Sequence, residues 1–141
     1  PQWLRDADIE WCQVEITKAG RVVWRAGIWL GGEWHDGHWY SGEWHDGVWR
    51  DGTWHDGFWY DGVWYDGVWL VGYWRAGYWR SGTWYNGTWR NGTWHSGEWH
   101  NGTWCNGAWL DGIWFNGAWR NGEWYDGDWQ EDGVWRAGSR D

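Results

Sequence analysis

Large apolar residues recur along this chain at an interval of five, which matches neither the 3.6-residue period of a helix nor the two-residue period of a strand. Trp stands at position 24 and at every fifth position through 129, 22 times in succession. The series runs Trp24, Trp29, Trp34, Trp39, Trp44, Trp49, Trp54, Trp59, Trp64, Trp69, Trp74, Trp79, Trp84, Trp89, Trp94, Trp99, Trp104, Trp109, Trp114, Trp119, Trp124, Trp129. Gly follows three residues after Trp, without a miss from Gly27 to Gly127. The unit is therefore Gly-x-Trp-x-Asp/Asn, as in Gly52-Thr53-Trp54-His55-Asp56. Its last position departs to Ser41, Ser81, Ser96, Ala26, Gly31, Ala76 and Val71. The residue before Trp favours strand formers such as Val48, Thr53, Phe58 and Ile113; the residue after it is commonly Arg, His, Tyr or Leu.

Asp-Gly and Asn-Gly are turn dipeptides, because Gly accepts positive φ and Asp or Asn bonds its own backbone. The intervening x-Trp-x is extended, with Trp on one side and its neighbours on the other. Gly at every fifth position excludes a helix. The fold class is all-β. Two arrangements compete. In an antiparallel meander every Asp-Gly would be a hairpin tip, yet an odd strand between identical turns directs both its ends to the same neighbour. In a β-solenoid each Asp/Asn-Gly is a corner, each x-Trp-x a short side, and every unit is equivalent. The solenoid is the expected fold, with the meander as its alternative. Coils of two, three or four units all satisfy the period. His35, His45 and His55 hint at a ten-residue sub-period and Leu30, Leu70 and Leu110 at forty, so coil size stays open.

One unit cannot fold alone. Burying a Trp is worth about 4–6 kcal/mol, whereas ordering five backbone residues costs about 5–10 kcal/mol. Stacking supplies the difference, through ladder hydrogen bonds and indole contacts. Gly lies two positions before Trp, on the same side, and leaves room for an indole. Residues 1–23 read as a capping hairpin: the alternating run Trp11 to Thr17, a turn at Lys18 to Arg21, and a strand entering Trp24. Residues 130–141 carry one extra position before Trp135 and form an irregular cap and tail. Solenoids need such atypical ends.

Composition narrows function. With 25 Trp and 25 Gly in 141 residues, the chain is neither disordered nor collagen-like. Its formal charge is −9, with one Lys and ten Arg scattered among carboxylates, which argues against a nucleic-acid partner. No stretch approaches the ~20 apolar residues of a membrane span. Cys12 and Cys105 match no metal or redox spacing and read as two unpaired thiols, with a bridge between them as the alternative. A chain opening at Pro1 without Met reads as a mature form or a fragment, compatible with a removed signal peptide.

The repeat covering 24–129 resembles the tryptophan pentapeptide arrays (x-x-Trp-x-Gly) of bacterial and phage proteins. Its Gly-x-Trp-x-x-Gly core is also similar to the MORN repeat, although the rest of that longer unit is missing. A more distant likeness is to the pentapeptide-repeat β-helices, which centre on Leu or Phe. The first resemblance implies a structural or surface-exposed protein, part of a virion or an extracellular fibre.

Candidate chemistry is sparse. His35-Asp36, His45-Asp46 and His55-Asp56 place imidazoles beside carboxylates, but the turn itself demands the Asp, so no catalytic or metal residue is expected, and no cofactor. His35, Tyr40, His45, His55, Tyr60, Tyr65 and Tyr85, with Tyr125, form a candidate ligand-facing set, since aromatic platforms beside Asp or Asn suit sugars. Thr83, Thr88, Thr93 and Thr103 could make a flat ladder. The expected function is a non-enzymatic structural protein, a rigid rod or fibre subunit that associates with itself end to end or laterally. The alternative is a carbohydrate-binding surface module.

Overall fold

The computed structural model describes residues 1–130 and, as backbone only, residues 139–140. In the array each unit contributes one short strand made of Trp and the residue before it, from Glu33–Trp34 to Asp128–Trp129. Each strand pairs in parallel with the strand fifteen residues away, as Val68 with Thr83 and Trp69 with Trp84. A turn of the solenoid is therefore three units. The strands stack into a triangular prism of about seven turns. The first face carries Trp24, Trp39, Trp54 and their successors; the second Trp29, Trp44 and Trp59; the third Trp34, Trp49 and Trp64. Pairing within the array is parallel throughout, so the antiparallel meander, and with it the MORN-like architecture, is excluded. The ten- and forty-residue hints are also corrected: neighbouring turns are offset by fifteen.

Two hydrogen bonds per unit bind successive turns. The residue after Trp donates its N–H to the Trp carbonyl one turn back (Tyr85 to Trp69, 2.8 Å), and the residue before Trp donates to the Gly carbonyl (Thr83 to Gly67, 2.9 Å). At many of the corners the Asp or Asn side chain accepts the next N–H, as Asp61 Oδ1 does from Gly62 at 2.8 Å and Asn91 Oδ1 from Gly92 at 2.9 Å. This satisfies a donor that the ladder leaves over. Asp61→Ala is expected to cost about 0.5–1.5 kcal/mol, and Asp61→Asn markedly less, as read by chemical denaturation.

The core is built of indoles. Every Trp from Trp24 to Trp124 is 0–1 % exposed. Within a face they stack with nearly parallel planes: Trp64 on Trp79 at 4.7 Å and 5°, Trp79 on Trp94 at 4.7 Å and 6°. Between faces they meet edge to face, Trp79 with Trp74 at 5.8 Å and with Trp84 at 5.9 Å. Both geometries are the ones the indole quadrupole prefers. The fit of three indoles per turn is what closes the prism. Glycine has a different role from the one its spacing predicts. A Cβ at Gly92 would lie 2.4 Å from the carbonyl oxygen of Gly77, so the contact that forbids a side chain is the corner backbone of the previous turn. Indole comes second, as at Gly47, where Trp29 Nε1 would be 3.2 Å away.

Before the array, α1 (Gln2–Arg5) leads into β1 (Asp8–Ile16), which pairs antiparallel with β2 (Val22–Gly31). β2 runs around a corner and supplies the first turn of two faces. α1 packs on the third, where Trp3 meets Trp34 edge to face at 5.2 Å. The sequence pattern did not reveal this short helix. β1 is bulged between Glu10 and Val14 and holds Trp11 at φ 55. The C-terminal cap lies largely outside the described residues; of it, Ser139–Arg140 adds a parallel strand to the third face.

Candidate functional site

Because Trp points inward, the residues flanking it point outward, in six columns along three faces. The column following Trp on the first face reads Arg25, Tyr40, His55, Leu70, Tyr85, His100, Phe115. Flat side chains stack there: Tyr40 on His55 at 4.2 Å, Tyr85 on His100 at 4.8 Å, His100 on Phe115 at 4.8 Å. Arg25 covers the other face of Tyr40 at 5.5 Å.

The seven candidate ligand-facing residues are divided among the three faces. Tyr40, His55 and Tyr85 share the first; His45 and Tyr60 stack on each other at 4.7 Å on the second. On the third, His35 lies against Trp3 at 5.6 Å, and Tyr65 is sandwiched between Arg50 at 5.2 Å and Arg80 at 5.5 Å. Every one of the seven has a ring face engaged by a neighbour. A fifteen-residue period in the column would have exposed the ladder in the sequence and added His100 and Phe115 to it. Tyr125 is on the third face and bonds Glu123. The Thr set does not form one ladder: Thr83 is on the first face, Thr88 and Thr103 on the second, Thr93 on the third.

The His-Asp pairs also separate. Asp36, Asp46 and Asp56 each accept the following Gly N–H at 2.8 Å. Their histidines turn elsewhere: His35 to Glu33 at 3.6 Å, His45 to Glu43 at 3.0 Å, His55 to His38 at 3.2 Å. Among the described residues no three His, Cys, Asp or Glu side chains converge as metal ligands. Cys12 and Cys105 are both free thiols. No described helix is long and apolar enough to cross a membrane.

Burial, and then the nearby His38, hold the His55 imidazole below its ordinary value near 6.5. The folded state thus binds fewer protons than the unfolded chain just below that pH. Stability from this group is present at neutral pH and is lost as pH falls from about 6.5 through the folded value. An NMR titration should show His55 titrating lower than an exposed imidazole, and His38→Gln should move it back upward.

Open hollows lie along the corners. One of about 560 Å³ lies by the corner between the third and first faces, beside Arg80 and Ser81. Another of about 450 Å³ lies beside Phe58 and Tyr73. Searches of known proteins return nothing: no family model, no curated protein and no solved structure matches this chain.

Proposed function

We propose that this chain is a non-enzymatic structural protein, a rigid rod or subunit of an extracellular or virion fibre. The observation that carries this reading is the continuous indole core: unit after unit is the same building block, with ladder bonds repeated at each turn. A catalyst needs one place unlike the rest, with convergent titratable groups, and the outward columns hold their histidines in pairwise contacts instead. The ladder spacing of about 4.8 Å per turn gives a prism roughly 34 Å long, stiffened by every stacked ring.

Self-association through the flanks fits better than stacking at the β1 end. That end is covered by a bulged antiparallel strand carrying Asp8, Glu10 and Glu15, devices that blunt a sheet edge. Electron microscopy of the native material tests the reading: laterally packed rods or fibres are expected. Discrete compact particles at all concentrations would overturn the fibre role. Carbohydrate binding is the weaker alternative, since sugars stack on ring faces and those faces are shared with neighbours. Saturable hits on a glycan array, quenching Trp or Tyr fluorescence, would reverse that preference.

A further inference from the structure

The corner between the third and first faces is a column of aligned residues: Asp36, Asp51, Asp66, Ser81, Ser96, Asp111, Asp126. Five are carboxylates, and each accepts the N–H of the Gly that follows. Two successive turns in mid-column give up that bond and carry a hydroxyl instead. Glycine conformation does not ask for the change, since the corners before and after have φ +121 at Gly67 and +116 at Gly112; at the two serines the backbone carbonyl accepts an indole Nε1–H, Ser81 from Trp64 at 3.1 Å and Ser96 from Trp79 at 3.2 Å. The two serines coincide with a change of charge. From Gly67 to Leu110 the only carboxylate is Glu98, whereas Arg75, Arg80 and Arg90 all fall there. Glu98 lies on the first face, 3.7 Å from His100.

Arg80 and His95 immediately precede the serines on adjacent turns, so backbone positions are about 4.8 Å apart. The corresponding indole step, Trp79 to Trp94, is 4.7 Å. Arg80 rests on the Tyr65 ring at 5.5 Å. Near the N-terminal end Arg25 pairs with Glu15 at 2.9 Å and Arg50 with Glu33 at 3.0 Å. Arg80 has no carboxylate within 4.0 Å among the described residues. Arg80, Ser81, His95 and Ser96 line one open hollow of about 560 Å³, together with Arg50 and Tyr65. Asp66 also lines it, with its Oδ1 engaged by Gly67 N–H at 2.8 Å.

We propose that this hollow is a binding site for a tetrahedral oxyanion, a sulfate or phosphate group, held by Arg80 with Ser81, Ser96 and His95. Charge-assisted donors around a small polar recess suit such a group, and Arg supplies two parallel N–H bonds to its oxygens. The two missing carboxylates are the ones that would repel it. The remaining negative charge of the prism is screened beyond about 8 Å at physiological salt.

Titration of ¹⁵N-labelled protein with sodium sulfate, sodium phosphate and sodium chloride at matched ionic strength tests the site. Saturable shifts are expected for the Arg80 Nε–H and the amides of Gly82 and Gly97, with sulfate or phosphate and not with chloride. The double variant Ser81→Asp/Ser96→Asp restores the repeat's own corner and so should fold at least as well; binding should weaken at least about tenfold. Arg80→Gln should weaken it similarly. Glucose 6-sulfate and glucose 6-phosphate separate the sources: a stronger response than to the inorganic ion identifies the end group of a larger ligand, an equal one the free ion. Shifts that follow chloride, or equal binding by the double Asp variant, would overturn the site.

Discussion

Replacing Gly92 with Ala should destabilise the protein by roughly 3–5 kcal/mol, among the largest effects of any single methyl group added to this chain. Two causes act together. Gly92 has φ +122, a conformation that an L side chain strains to adopt. Its Cβ would also stand 2.4 Å from the carbonyl oxygen of Gly77 and 3.0 Å from its nitrogen. Neither obstacle is a flexible side chain, so relief requires separating two turns and breaking ladder bonds on both sides of the corner. Gly31 is the internal control. An added Cβ there meets nothing within 4 Å, and its φ lies outside the strained range, so Gly31→Ala should change stability by less than about 1 kcal/mol. Equal midpoints for the two variants in urea would contradict this account of the corners.

Trp79→Ala should cost about 4–6 kcal/mol, again measured by denaturant unfolding. The side chain is fully buried and stacks on Trp64 and Trp94, each at 4.7 Å. Its Nε1 donates to the carbonyl of Ser96 at 3.2 Å. Removing it takes away two stacking contacts and two edge contacts and leaves a cavity that rigid neighbouring rings cannot collapse into. In a one-dimensional stack each turn touches only its neighbours, so a defect in mid-column also uncouples the two halves. The unfolding transition should therefore broaden as well as shift. Trp129→Ala, at the partly exposed end of its column, should cost clearly less and leave the transition sharp.

Much of the architecture was written in the five-residue period. The all-β class, the solenoid, the corner at Asp/Asn-Gly and the inward Trp follow from the unit alone. Coil size did not, because an identical unit fits two, three or four to a turn, and only the packing of indoles decides among them. Three large rings per turn can stack within faces and meet edge to face across them, as Trp79 does with Trp74 and Trp84. The outward columns were illegible for the same reason. Without the fifteen-residue offset, His35, His45 and His55 read as a row, whereas they lie one on each face. With it, Tyr40, His55, Tyr85, His100 and Phe115 align, and so do Ser81 and Ser96. α1 escaped notice because four residues carry no periodicity.

The three-unit coil is the claim on which the faces, the ladder and the oxyanion site all depend, and Cys105 offers a direct test of it. In a Cys12→Ser background, single cysteines are introduced by Arg90→Cys, His95→Cys or Tyr85→Cys, which lie fifteen, ten and twenty residues before Cys105. Thr88 pairs with Thr103 and Trp89 with Trp104, placing position 90 directly beside Cys105. Its backbone separation of about 4.8 Å is within the 4.4–6.8 Å that a disulfide spans. Mild oxidation should close a disulfide in the Arg90→Cys protein alone, with the fold retained. A bridge formed instead from position 95 or 85 would contradict the three-unit coil.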